Sequence, residues 1–427
     1  MPVKMEATIK IAVLFVLLII LIRRNVAVEW ALIAGSVVLG ILFLVPPVEF
    51  LRESLYGAID TMTLLLLGVV YFVTVLGSFM DRSGHLQHLM ESLTELMGDS
   101  RYVVATAPAI IGLMPMPGGA LFSAPMVEAV SKPMGLSAEK MTAINYWFRH
   151  VWEYVWPLYA GVLLSSSILG VNIPVVSLAQ SPLTLACILS GLIFLIWNIP
   201  KPPRNSIYHT TKQNLGIIWH AIWPIAVVII ITLIPFPRSE SLGMDDKILT
   251  MWKLLFSLVI TTFIYGHING IDKKETWDVI VVCLKKHTIM IVLSIMIFKH
   301  LIEHTGAAVQ MVPFFKEFGL PPIALIFLIN FIVGTLTGIT LAYVGICYPI
   351  IAPLITVVGH VDLGLMQFAY ASGFIGVMMT PVHLCFALTK EYYKCDWFKA
   401  YKLLILPSLM LILISLAIAL IGLPQWD

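Results

Sequence analysis

Long, nearly unbroken apolar stretches dominate the chain. A membrane helix needs about 20 mostly apolar residues, and ten segments qualify, roughly 7–23, 28–45, 61–80, 142–167, 178–198, 215–235, 248–268, 286–303, 363–389 and 402–423. Shorter amphipathic stretches near 48–58, 85–97, 275–284 and 307–317 are expected to lie in the membrane interface as helices. Two further apolar regions, 102–131 and 319–356, are each too long for one span and carry helix breakers in the middle. The first break is Met114-Pro115-Met116-Pro117-Gly118-Gly119 and the second Gly334-Thr335-Leu336-Thr337-Gly338-Ile339-Thr340. Backbone freed by such breaks is tolerated only inside protein or along a wet cavity. Both regions therefore read as re-entrant hairpins that enter and leave on one side, with a pair of kinked helices as the alternative.

Weak internal similarity orders these pieces. Trp30 and Leu32 recur as Trp252 and Leu254 at an offset of 222 residues, Asp81-Arg82-Ser83-Gly84 recurs as Glu303-His304-Thr305-Gly306, and Pro125 and Pro157 recur as Pro349 and Pro381. The chain is thus expected to be an all-α polytopic membrane protein built from two repeats, 1–198 and 215–427, joined by a cytoplasmic linker, 199–214. Each repeat holds five transmembrane helices and one hairpin, and an odd number of spans makes the repeats inverted. With both termini outside, 17 of the 26 Lys and Arg fall in cytoplasmic loops, as the positive-inside rule favours. The expected setting is the cell inner (cytoplasmic) membrane. The apolar run after Lys4 and Lys10 resembles a signal peptide, but Arg23-Arg24 and its counterpart in the second repeat favour a retained span.

Composition agrees. Of 427 residues, 59% are hydrophobic and 12% charged, against about 25% charged in soluble domains, which excludes a soluble enzyme and a disordered chain. The net charge of +2, without basic runs, leaves no footprint for nucleic acid. Five scattered cysteines read as packing residues, and no metal site or cofactor is expected.

Candidate chemistry lies where ionisable residues enter the spans. In 142–167, Asn145, Arg149 and Glu153 are spaced by four and so share a helical face, with His150, Trp152 and Trp156 alongside and Pro157 expected to break the helix. A charge at that depth costs at least about 2.5–3.5 kcal/mol, so Arg149 is expected to face an anionic substrate, with Glu153 or His150 carrying a coupling proton. An Arg149–Glu153 pair that only holds the structure together is the alternative. At the first tip, Pro117, Gly118 and Gly119 allow close backbone approach, and the helix restarting through Ser123 aims free N–H groups at an anion. At the second tip, Thr335, Thr337, Gly338 and Thr340 offer hydroxyls and carbonyls to a substrate or to Na+, unless the hydroxyls bond back to their own helix. Thr380 and His383 flank the second break at Pro381. Thr335 and His383 join Glu153 and His150 as candidates for ion coupling.

This arrangement resembles the ion transporter superfamily of citrate, dicarboxylate and gluconate permeases. The stretches LMPMPGGALFSAPMVEA (113–129) and NYWFRHVWEYVWP (145–157) are similar to a bacterial and archaeal membrane protein family of unknown function within it. The resemblance implies a homodimer, a static scaffold with a moving transport domain, an elevator-like motion, and a substrate held between the two tips and two broken helices. The Ser-Asn-Thr triplet of sodium–dicarboxylate members is absent from both tips, which places H+ ahead of Na+ as coupling ion.

The expected function is secondary transport of a small organic anion, by preference a carboxylate. The alternatives are a transporter or exporter of an amine or amino acid, and a membrane-embedded enzyme acting on lipid. The latter lacks an identifiable nucleophile–base pair or metal set.

Overall fold

A computed structural model describes residues 2–83, 101–114, 119–200, 212–234, 245–284, 286–310, 319, 321–357 and 359–424. The tip residues 115–118, including Pro117 and Gly118, lie outside the described residues, as do the expected interfacial helix 85–97, most of 307–317 and most of the linker.

The described chain is helical apart from a two-residue β-ladder, Thr356–Val357 with His360–Val361. Its first stretch contains α1 (Pro2–Arg23), α2 (Val28–Leu42), α3 (Pro47–Ile59), α4 (Thr61–Arg82), α5 (Val103–Ile111), α6 (Ala120–Ser131), α7 (Ala138–Arg149), α8 (Ala160–Leu169) and α9 (Ile173–Gly191, continued by a π-turn to Ile196). Its second contains α10 (Lys212–Leu233), α11 (Asp246–Ile268), α12 (Lys273–Cys283), α13 (Lys286–Thr305), α14 (Pro322–Thr337), α15 (Thr340–Ile355), α16 (Leu363–Met378), α17 (Leu384–Tyr393) and α18 (Trp397–Ile421). Four helices are long and apolar enough to cross a membrane among the described residues: α4, α9 with its π-turn, α11 and α18. On α18, Leu404, Ser408 and Leu411 face the interior while Leu406, Leu409 and Leu413 are exposed. A helix apolar on both faces belongs in lipid, and the chain is an integral membrane protein.

Two helices are interrupted, between Arg149 and Ala160 and between Met378 and Leu384. Ser137 caps α7 through the amide of Lys140, and Asp362 caps α16 through that of Leu365. α7 stops at Arg149 and the chain resumes a helix only at Ala160, so the break begins well before Pro157. The cause is local. The His150 ring donates from Nδ1 to the Tyr146 carbonyl at 2.6 Å, taking the acceptor that its own backbone amide would have used. That amide turns to Trp147 O at 3.1 Å instead. The expectation that Glu153 shares a helical face with Asn145 and Arg149 is thereby corrected, because Glu153 lies beyond the helix end. The second break, Met379–His383, does contain Pro381.

The helices fall into two packed groups. In one, α4 packs on α11 and α12, α13 on α2 and α3, and α1 on α2. In the other, the helices around the breaks pack together, and the groups touch chiefly through α13–α15, α4–α8 and α1–α14. Within the second group, α5 and α6 pack on α7 while α6 also packs on α17; likewise α14 and α15 pack on α16 while α15 also packs on α8. These contacts exchange when the two halves of the chain are swapped, although α7 also packs on α17 without comparably close packing of α8 on α16.

In the first group, acid–histidine pairs tie α3 to α13: Glu53 to His300 at 2.9 Å and Glu49 to His304 at 3.1 Å. The hydrogen bond from His300 holds the Glu53 carboxyl below the usual range, and Arg52 adds to the effect. A lowered folded-state pKa stabilises above the unfolded value and is lost as pH falls through the folded one. Glu53→Gln is therefore expected to melt below wild type above about pH 4.3, with the gap closing at lower pH. Thermal melting across that range checks this, and a constant gap overturns it.

Candidate functional site

The two breaks and the second tip meet inside the second group. Arg149, the last residue of α7, is only 2% exposed. Its Nη1 donates to the Tyr159 hydroxyl at 2.8 Å and its Nη2 to the Met114 carbonyl at 2.9 Å, immediately before the first tip. Tyr159 in turn donates to Gly112 O at 2.6 Å, and Trp152 Nε1 to Ala109 O at 2.8 Å. Residues at or beyond the end of α7 thus grip the carbonyls where α5 unwinds, groups that helix ends leave unsatisfied.

Glu153 faces the other half of the chain. Thr340, the first residue of α15, donates to Glu153 Oε2 at 3.2 Å, and Tyr370 on α16 donates to the Glu153 carbonyl at 2.8 Å. Glu153 Oε1 lies 3.7 Å from His150 Nε2. His150 and His383 come together at 3.1 Å between their Nε2 atoms, and His383 Nδ1 donates to the carbonyl of Gly338 at 2.8 Å. Gly338 turns the second tip at φ +62°, a conformation that favours glycine. One connected set therefore spans both breaks and the second tip.

Asn145 bridges the remaining elements, donating to Ala120 O at 2.9 Å and to Thr389 Oγ1 on α17 at 3.2 Å. Trp156 Nε1 is buried without a hydrogen-bond partner among the described residues, and so is Asn145 Oδ1. The other expected site residues are quieter. Thr335 and Thr337 bond back to Phe331 O and Val333 O in their own helix, and Ser123 bonds to Ala120 O. Thr380 is buried with its methyl against Gly338. Beside Pro381 a pocket of about 690 Å3 opens, lined by Phe386, Lys390, Glu391, Lys394 and Trp397 among others.

Sequence reasoning passed over Tyr159, Tyr370 and Cys385. The tyrosines carry no motif. Cys385, two residues after His383, carries a signal in the spacing His-x-Cys, but the sequence alone reads it as packing.

A family model described as "Protein of unknown function (DUF401)" matches residues 7–421. The chain belongs to the DUF401 family. No curated protein matches it. Among solved structures, it is similar to the YdaH transporter of Alcanivorax borkumensis, with 15% identity over 88% of this chain and 89% of that one and a TM-score of 0.59. At that identity the likeness speaks to the fold, which this DUF401 chain shares over most of its length.

Proposed function

We propose that this DUF401 protein is a secondary active transporter of a small organic anion, by preference a carboxylate. The observation that carries this reading is the convergence of two interrupted helices on a buried polar set, Arg149, Glu153, His150 and His383, in a membrane protein. Irregular backbone at that depth belongs to binding sites, and a transporter of similar fold supports the class. The buried, unpartnered Trp156 indole N–H is a donor ready for a substrate oxygen. The amides at the start of α6 supply further donors, and the Arg149 charge sets the sign of the ligand.

The two helix groups with narrow mutual contact fit a scaffold and a transport domain that moves against it, in an elevator-like way. The exchange-symmetric packing fits inverted repeats with re-entrant hairpins and both termini outside. A homodimer and coupling to H+ ahead of Na+ complete the proposal, in line with the ion transporter superfamily resemblance. Because both Arg149 Nη atoms are already bonded, an amine or amino acid is the second reading.

A thermal-shift screen of purified protein against carboxylates, sugar acids, amino acids and amines tests the substrate class. A ligand at one hundred times its dissociation constant adds about 2.7 kcal/mol of apparent stability. Stabilisation by anions, followed by saturable counterflow in proteoliposomes, is expected; stabilisation by amines alone overturns the anion reading. Trp156→Phe should weaken the anion about tenfold, the worth of one hydrogen bond to a charged group, while leaving the ligand-free melting temperature unchanged. An unchanged affinity removes Trp156 from the site.

A further inference from the structure

We infer that His150, His383 and Cys385 form a binding site for a divalent transition-metal ion of the zinc type, which clips the two broken helices together. One ring nitrogen of His150, one of His383 and Cys385 Sγ lie within 4.8 Å of one another, and all three residues are buried. The ring tautomers are fixed by the backbone. His150 Nδ1 faces Tyr146 O at 2.6 Å and His383 Nδ1 faces Gly338 O at 2.8 Å. A carbonyl only accepts, so both Nδ1 atoms carry the hydrogen. In the neutral rings both Nε2 atoms are then acceptors, 3.1 Å apart, with the Cys385 thiol beside them. Two acceptors do not hold each other; a cation between them does.

Nδ1–H anchored on a carbonyl with Nε2 turned inward is also how metal-binding histidines are oriented. With Zn–N near 2.05 Å and tetrahedral angles, two ligand nitrogens sit about 3.3 Å apart, close to the observed 3.1 Å. A sulfur at about 2.3 Å from the ion would stand about 3.6 Å from each nitrogen, within a small rotation of Cys385. Glu153, whose Oε1 is 3.7 Å from His150 Nε2, would reach the fourth position by a shift of its side chain. The Cys385 thiolate and the Glu153 carboxylate together balance the two charges of the ion. A bare proton between the imidazoles would use only two of these four donors. The Tyr146 ring packs edge-on against both histidines, at 4.8 and 5.5 Å between centroids, and so restricts their rotation.

The test is a Co2+ titration of the purified full-length protein after treatment with a chelator, under reducing conditions. One Co2+ per chain is expected, with the visible bands of a tetrahedral site and a near-ultraviolet sulfur-to-cobalt band, both displaced by Zn2+. Cys385→Ser should lose the sulfur band and keep visible bands. His150→Gln and His383→Gln should each weaken binding by at least about 100-fold, the upper end of what a mere orienting group supplies. Cys283→Ser, at the end of α12, should change nothing. The site is overturned if wild type gives no cobalt bands, or if the sulfur band survives Cys385→Ser. The wild-type spectrum needs no variant to fold and no substrate to be known, so its outcome is separate from that of the transport assays.

Discussion

Arg149→Ala will abolish transport, and Arg149→Lys will not restore it. The guanidinium does two things at once: it places a positive charge beside the second half of the break, and it bridges Tyr159 to Met114 O, tying the first tip to the end of α7. Alanine removes both and takes its bond from the buried Met114 carbonyl, at about 1–3 kcal/mol. Tyr159 keeps its bond to Gly112 O, so the fold should survive with a lowered melting temperature. Lysine keeps the charge, but its compact ammonium lacks the planar fork that serves two acceptors in different directions. Counterflow of the anion identified by the thermal-shift screen should therefore fall by about 100-fold or more in the alanine variant, equivalent to about 2.7 kcal/mol or more of lost transition-state binding. It should stay mostly lost in the lysine variant. Full rescue by lysine would mean that charge alone matters and that the bridge to the tip is incidental. Normal transport by both variants would remove Arg149 from the substrate site and leave it as packing.

How much of this was legible depended on whether the signal was carried by the chain's own pattern or by contacts between distant parts. Spans such as Trp397–Ile421 announce themselves because lipid imposes the same apolar requirement on every exposed turn. The breaks were legible as composition, since charge, proline and glycine concentrate there. Their positions were not, because α7 is ended by the His150 side chain capturing the Tyr146 carbonyl, an event that no helix propensity encodes. Of the three threonines at the second tip, only Thr340 points across to Glu153, while Thr335 and Thr337 close on their own helix. The choice between those fates is made by what stands opposite, which spacing does not show. The meeting of His150 with His383 across 233 residues is of the same kind.

Gly334→Val and Gly376→Val should be the most damaging substitutions for assembly. α14 and α16 approach backbone to backbone: a Cβ on Gly334 would strike the carbonyl oxygen of Gly373, and one on Gly376 would strike that of Phe331. Small residues permit such contacts between membrane helices, where no hydrophobic effect favours one helix over lipid. Overpacking a core costs about 1–3 kcal/mol when side chains can give way. Here the obstacle is a carbonyl held in a helix, so a whole helix must shift and the cost should exceed that range. Both variants are expected to elute as aggregates in size-exclusion chromatography or to melt far below wild type. Gly77→Ala, at a position in α4 with open space around it, should match wild type. Melting of Gly334→Val at the wild-type temperature would show that the two helices are free to separate. That matters for mechanism, because α14 ends in the second tip at Gly338 and α16 leads into the second break at Met379. Welded through their glycines, tip and break move as one body, and the contacts left to change during transport are those between the two helix groups, among them α15 with α13 and α14 with α1.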